Sequence, residues 1–373
     1  MQLNKSLPHI KILATGGTIA GSAAQAGQLT GYTAGALGIE SLISAVPEIE
    51  SAARVSGEQI ANIDSCNITS GLWFKLAQRC NELMADDDVD GIVITHGTDT
   101  LEETAYFLNL TVKGTKPVVL TGAMRPATAI SADGPLDLLN AVKTAACREA
   151  CGKGVLVVMN DIIMAARYAT KTSAFKVEAF QAVPYGQLGT IAGGRVYFEA
   201  AISKCHTVKS VFAGKNYTSL PRTDIIYTHC DDDGVLIEAA VNAGAQGIIY
   251  AGSGMGSIHA GAEQALMRAA AHGIADNASF VYRAVLRCRK EILRGIAVAQ
   301  LDEIFHQYIV LPGDIGIDLQ ILFLTLRVGH IGIPCCLDCA LIDTVIVVPP
   351  FFFFWRAACH HYAVNVLLKL PHL

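Results

Sequence analysis

The stretch Ala14-Thr15-Gly16-Gly17-Thr18-Ile19-Ala20 follows a largely apolar run at 10–13, and Thr95-His96-Gly97-Thr98-Asp99-Thr100 follows another at 91–94. A short apolar run bounded by glycine reads as a strand buried in a parallel sheet, so each stretch is a strand feeding a tight loop. In an open α/β sheet such loops lie at the carboxyl ends of the strands, where ligands bind. Thr18 and Thr98 are therefore expected to face one crevice, with the carboxylate of Asp99 beside them. That arrangement suits attack on a carbonyl carbon.

Outward from these loops, runs rich in valine, leucine or isoleucine recur at 117–121 and 154–159. Between the first strands, Trp73, Leu76, Ala77, Cys80, Leu83 and Met84 repeat at steps of three and four, which marks one apolar helix face. Residues 102–110 and 136–146 also read as helices, the second started by Ser131-Ala132-Asp133-Gly134-Pro135. The alternation predicts an α/β fold with a large N-terminal domain, 1–198, whose mainly parallel sheet lies between helices. The polar stretch 199–221 reads as a linker. A strand at 224–228, a helix at 234–243, a strand at 246–251 and a helix through 270 then predict a smaller α/β domain, partial, over 222–281. From there the pattern is lost, and 282–373 reads as a divergent apolar tail. Charges become rare over 310–373, four phenylalanines stand together at 351–354, and Pro, Asp or Arg interrupts every candidate for a membrane span of about 20 residues.

With 373 residues, 52% of them hydrophobic, the chain has ample material for two cores. Its net charge of -5 and the lack of any Lys/Arg run exclude nucleic-acid binding through a basic surface. The 11 cysteines form no disulfide framework, since Cys66, Cys80, Cys147, Cys151, Cys205, Cys230 and Cys288 are scattered singly; Cys335, Cys336 and Cys339 with His360 and His361 lack the paired spacing of a zinc site, so no metal is expected. Gly252-Ser253-Gly254-Met255-Gly256-Ser257 is spaced G-x-G-x-G, which argues against a dinucleotide. The first residues lead almost at once into a strand, with no secretory apolar segment before it.

A threonine hydroxyl is a poor nucleophile and needs a nearby base or polarising neighbour. Asp99 serves Thr98, and Tyr32, in the lid-like Thr30-Gly31-Tyr32-Thr33-Ala34-Gly35, would serve Thr18. Backbone N–H groups at Thr98 and near Ala123 would stabilise an oxyanion. The plainer alternative is that Thr18 caps the helix after it, and that Thr98 or Asp99 caps a helix beginning near Leu101.

Five ordered motifs resemble one family. They are Ile12-Leu13-Ala14-Thr15-Gly16-Gly17-Thr18-Ile19-Ala20-Gly21, Ile94-Thr95-His96-Gly97-Thr98-Asp99-Thr100-Leu101-Glu102-Glu103-Thr104-Ala105, Gly122-Ala123-Met124-Arg125-Pro126, Ser131-Ala132-Asp133-Gly134-Pro135 and Val157-Val158-Met159-Asn160-Asp161. Over 10–271 the chain resembles the bacterial type II L-asparaginases, which include the glutaminase-asparaginases. The resemblance implies hydrolysis of L-asparagine to L-aspartate and ammonia through a threonine acyl-enzyme, with L-glutamine as a further substrate and no organic cofactor. Thr18 matches the nucleophile and Tyr32 the lid tyrosine; Thr98, Asp99 and Lys171 match a second catalytic group. Ser65 matches a residue that holds the substrate's α-carboxylate, while Asp99 also grips its α-ammonium. Ser257 matches a position that reaches a neighbouring subunit's site. The resemblance implies a homo-oligomer, a tetramer in the family, and the periplasm, with the cytoplasm as the alternative.

Three departures stand out. Cys66 replaces the family's glutamine and cannot donate an amide hydrogen bond to substrate; Met255 replaces an asparagine common among relatives. After about residue 281 the family's motifs are missing, including a glutamate that enters the partner's site, and Glu291 lies in the wrong local context for that role. A shifted reading frame would account for that loss and for the phenylalanine-rich tail. The rival reading is a non-catalytic remnant that binds a small amino acid.

Overall fold

A computed structural model describes residues 7–25, 31–254 and 256–271, together with the backbone of Ala275–Phe280, Phe352–Cys359 and Tyr362–Lys369. It divides into two units, Met1–Ser219 and Leu220–Leu373. In the first, the chain runs through β1 (His9–Gly16), α1 (Ile39–Ser44), β2 (Arg54–Ile63), α2 (Ser70–Met84), β3 (Gly91–Thr95), α3 (Leu101–Thr111), β4 (Val118–Thr121), α4 (Gly134–Ala146) and β5 (Val155–Met159). It continues through β6 (Ile162–Ala165), β7 (Ala169–Lys171), β8 (Phe180–Ala182), β9 (Gly189–Ala192) and β10 (Arg195–Phe198). Eight of these strands form one sheet in the order β10-β9-β6-β5-β4-β3-β1-β2, while β7 and β8 pair separately. From β2 to β5 all neighbours are parallel. From β5 to β10 they are antiparallel.

The parallel strands are apolar because they are covered on both sides, and their side chains alternate between two cores. Ile10, Ile12, Val93, Val119, Leu156 and Val158 meet Ile39 and Leu42 of α1 and Leu138, Ala141 and Val142 of α4. Leu13, Ile92, Ile94, Val118, Leu120, Val155 and Val157 point to the other face, against Leu76 and Cys80 of α2 and Leu101 and Leu108 of α3. At about 25 cal/mol per Å² of apolar surface removed from water, these two layers are the main stabilising term of the unit.

The strand order and the helix faces together fix the hand of each crossover. Steps β2–β3 and β3–β4 move along the sheet with their helices on one face. Step β1–β2 moves the opposite way with its helix on the opposite face, which is the same hand. Step β4–β5 moves as β3–β4 does, yet α4 lies on the other face. Parallel crossovers are right-handed in nearly all cases. Three obey that rule here, and the crossover through α4 is left-handed.

The second unit carries β11 (Thr223–Tyr227), α5 (Val235–Asn242), β12 (Gly247–Gly252), α6 (Ala260–Ala271) and β13 (Ala275–Phe280), with the strands parallel in that order. Ile226, Ile237, Ile248 and Leu266 form its core, with the Tyr250 hydroxyl donating to Asp232 Oδ2 at 2.6 Å. Strands β14 (Phe352–Cys359) and β15 (Tyr362–Lys369) pair antiparallel. The stretch 199–221 contains a 3-10 turn at Thr207–Lys209 and buries His206, Thr207 and Ser210. Met255, the segment 281–351 with its cysteine cluster and Glu291, and His360 and His361 lie outside the described residues. Among the described residues no helix is long and apolar enough to cross a membrane, and no cluster of His, Cys, Asp and Glu could hold a metal ion.

Candidate active site

The strand order 2-1-3-4-5 reverses direction between β1 and β3, and at such a switch point the loops leaving the strand ends part to leave a crevice. Here the two loops touch glycine to glycine. Gly17 has φ +79°, and a Cβ on it would lie 2.3 Å from Gly97 Cα; a Cβ on Gly97 would lie 2.6 Å from Ser65 Oγ. Only glycine permits this approach, which sets Thr18 and Thr98 one residue beyond the contact on either side.

Thr18 opens a 3-10 turn, Thr18–Ala20, that carries no side-chain cap, so its hydroxyl is free for other work. It shares a 2.7 Å hydrogen bond with Tyr32 Oη. Tyr32 is placed by a small ladder, in which Ser22 and Thr33 exchange backbone hydrogen bonds of 3.0 and 2.9 Å. Its ring lies over Gly21, where a Cβ would come within 2.9 Å of it.

On the other loop, Lys171 at the end of β7 donates from Nζ to Thr98 Oγ1 at 2.8 Å and to Asp99 Oδ1 at 2.6 Å. Thr98 is buried, whereas the Asp99 side chain is 57% exposed and keeps an oxygen open to a ligand. Neither Thr98 nor Asp99 caps α3; the N-cap is Thr100, whose hydroxyl donates to the Ser65 carbonyl at 2.8 Å. Ser65 is buried, and its Oγ accepts the Asp99 N–H at 3.1 Å. Cys66, the next residue, is a free, exposed thiol. Glu102, in the first turn of α3, accepts the backbone N–H of Lys171 in a short hydrogen bond. Burial holds the Glu102 carboxyl above the usual carboxylate range.

A third loop closes the floor. A Cβ on Gly122 would meet the His96 carbonyl at 2.7 Å and Thr98 Cγ2 at 3.1 Å, so Gly122 lies against Thr98, and the next residue, Ala123, is buried. Asp133 fixes that loop by accepting the N–H groups of Met124 and Arg125 at 2.7 and 2.9 Å. Farther on, the Ala127 N–H donates to the Gly21 carbonyl at 3.0 Å, which ties this loop to the one carrying Thr18.

Beneath Gly97 runs a directed chain of hydrogen bonds. Trp73 Nε1 donates to Thr104 Oγ1 at 2.8 Å, Thr104 faces His96 Nε2 at 2.9 Å, and His96 Nδ1 faces the Gly97 carbonyl at 2.7 Å. Burial lowers the His96 pKa to about 4. The ring is therefore neutral near pH 7, with its proton on Nδ1, because a carbonyl can only accept.

Thr18, Tyr32, Ser65, Cys66, Thr98, Asp99, Ala123 and Lys171 all belong to the first unit, and the contacts above join all but Ala123, which follows Gly122 in the third loop, and the exposed Cys66. Ser257 belongs to the second unit, exposed in the loop between β12 and α6, where it bridges Ser253. Sequence reading passed over three side chains here: Glu102, His96 and Trp73. Glu102 resembles any acid in a helix's first turn, and Trp73 registers only as part of an apolar face. The one available signal was His96 itself, a polar residue immediately after an apolar strand.

Residues 9–204 match the family described as "Asparaginase, N-terminal", and 222–279 match "Glutaminase/Asparaginase C-terminal domain". The chain is 55% identical over 270 residues to the L-asparaginase 2 of Bacillus subtilis, covering 72% of each chain. It is 49% identical over 264 residues to a protein of Haemophilus influenzae named "Probable L-asparaginase periplasmic", covering 71% of this chain and 75% of that one. The crystal structure of a probable cytoplasmic L-asparaginase from Campylobacter jejuni aligns with a TM-score of 0.71 at 49% identity, covering 73% of this chain and 84% of that one.

Proposed function

The chain belongs to the asparaginase family of amidohydrolases, and from that premise we propose that it hydrolyses L-asparagine through an acyl-enzyme on Thr18. The 2.7 Å contact between Thr18 Oγ1 and Tyr32 Oη carries this reading. Thr18 Oγ1 attacks the side-chain amide carbon while its proton passes to the Tyr32 hydroxyl, which gives up its own toward the leaving nitrogen. The tetrahedral oxyanion is met by the backbone N–H groups of Thr98 and Ala123, and one such donor contributes about 10²–10³ in rate. Collapse breaks the C–N bond, and the departing nitrogen takes up a proton to leave as ammonia. Water then attacks the ester, with the Thr98–Lys171–Asp99 group handling its proton, and aspartate leaves as Thr18 regains its hydrogen. Ser65 holds the substrate's α-carboxylate, and the open oxygen of Asp99 holds the α-ammonium. L-glutamine is a second substrate of the same site.

The active form is a homo-oligomer, as the family resemblance implies, with Ser257 serving a neighbouring copy. The relatives' names include both a periplasmic and a cytoplasmic protein, and the periplasm is the compartment we favour.

Ammonia release from L-asparagine by the purified full-length chain, beside Thr18→Ala, tests the mechanism. Activity that falls at least about 10³-fold in the variant supports it, since the nucleophile is then absent. Activity retained in Thr18→Ala would move the attack to Thr98. A folded wild-type chain that releases no ammonia would favour the amino-acid-binding remnant, the reading to which the unusual Cys66 and the tail point.

A further inference from the structure

Lys171 holds its ammonium between Thr98 and Asp99, although it stands on β7, a three-residue strand outside the main sheet. Among the described residues, strand β7 pairs along one edge only, with β8, where Lys171 lies opposite Phe180. The Lys171 N–H is directed to Glu102 instead. Glu102 is three residues beyond Asp99, on the first turn of α3, the helix that starts directly after the Thr98-Asp99 loop. One end of the Lys171 residue is thus tied to α3 through its backbone, and the other to the loop that precedes α3 through its side chain.

We propose that Glu102 is a positioning residue: its carboxylate clamps the backbone of Lys171 so that Nζ is held at both Thr98 Oγ1 and Asp99 Oδ1. The proposal rests on the hydrolytic reading above for its effect on rate, and on geometry alone for its effect on Lys171. Lysine is otherwise a flexible stem with a strongly hydrated head, and nothing in a short outlying strand would hold it to ångström precision. Misplacement by about 1 Å costs on the order of 10²-fold in such a group. What the clamp needs is reach and an acceptor oxygen; charge is not required. A glutamine keeps both, and an aspartate loses the reach by one methylene.

The test compares Glu102→Gln with Glu102→Asp in the full chain. The proposal expects Glu102→Gln to keep at least half of the wild-type kcat, and Glu102→Asp to lose about tenfold or more in kcat with KM within twofold. A second readout needs no turnover. The rate at which acetic anhydride acetylates Lys171 Nζ, through its deprotonated amine and with release of acetate, is followed by peptide mass; it rises severalfold in Glu102→Asp and stays at the wild-type value in Glu102→Gln. Equal losses in the two variants, or a lysine whose labelling does not follow reach, overturn the proposal. If the wild-type chain releases no ammonia, the hydrolytic reading fails, and the labelling comparison still decides the clamp.

Discussion

Cys66 is exposed beside Ser65, at a place where the family resemblance implies a glutamine. A thiol is a weak donor and cannot supply an amide N–H to bound substrate. Cys66→Gln should therefore lower KM for L-asparagine about three- to tenfold, because a net hydrogen bond contributes about 0.5–1.5 kcal/mol, with kcat little changed. Steady-state kinetics check this, and an unchanged or higher KM would count against a substrate contact at this position. At this scale the sequence showed Thr18, Thr98 and Asp99 through their place after buried strands. Lys171 and Ser65 carried no local signal, because their neighbours are apart in sequence and meet only in the fold. Family likeness alone pointed to them. Glu102 escaped both routes, since its partner is a backbone N–H that no side-chain pattern records.

Among elements, α4 and the β5–β6 turn are joined by a buried acid. Asp137 Oδ1 accepts the Asn160 N–H at 2.8 Å, and Asn160 and Asp161 hold the left-handed conformation, φ 50° and 63°, that the tight turn demands. Oδ2 is buried with no hydrogen-bond partner among the described residues. Burial pushes the Asp137 carboxyl from its ordinary 3.8 up to about 8, and the nearby Asp133 and Asp161 add to the effect. The folded protein then keeps a proton that the unfolded chain releases. Stability from this group is complete below about pH 4 and is lost as pH rises toward 8, by at most about 1.4 kcal/mol per pH unit. Asp137→Asn should flatten the pH dependence of urea unfolding across that window; an unaltered slope would show that Asp137 ionises normally. Several elements were legible in advance. The runs at 91–94, 117–121 and 154–159 became β3, β4 and β5, and the periodic segments became α2, α3 and α4. Strand β2 was not, because an edge strand facing solvent, Arg-Val-Ser-Gly-Glu-Gln-Ile-Ala-Asn-Ile, has no reason to be apolar. The antiparallel edge of β6, β9 and β10 was missed for a related reason: strands of four residues give a period of two too little length to show.

For the whole molecule, alternation of strand and helix told the class and the mainly parallel sheet, but not which side each helix takes. An amphipathic helix names the stripe it buries and is silent about the face that receives it, so the reversed hand of the α4 crossover was invisible. That reversal has a kinetic meaning. Three crossovers follow the twist that a nascent strand and helix favour by themselves, and can start from local encounters. The fourth opposes it, and must wait for a platform already built from the others. Folding should thus proceed with the β4–α4–β5 arm docking last. Leu138→Ala, at a buried site of α4, should cost about 2–5 kcal/mol, expressed as faster unfolding with φ below about 0.3. Leu76→Ala in α2, equally buried, should slow folding instead. Stopped-flow refolding of the two variants decides the order, and a high φ at Leu138 would reverse it. Because the third loop of the site lies within the late arm, the chain should assemble most of its scaffold before it gains a competent centre, so that activity returns after the bulk of the structure.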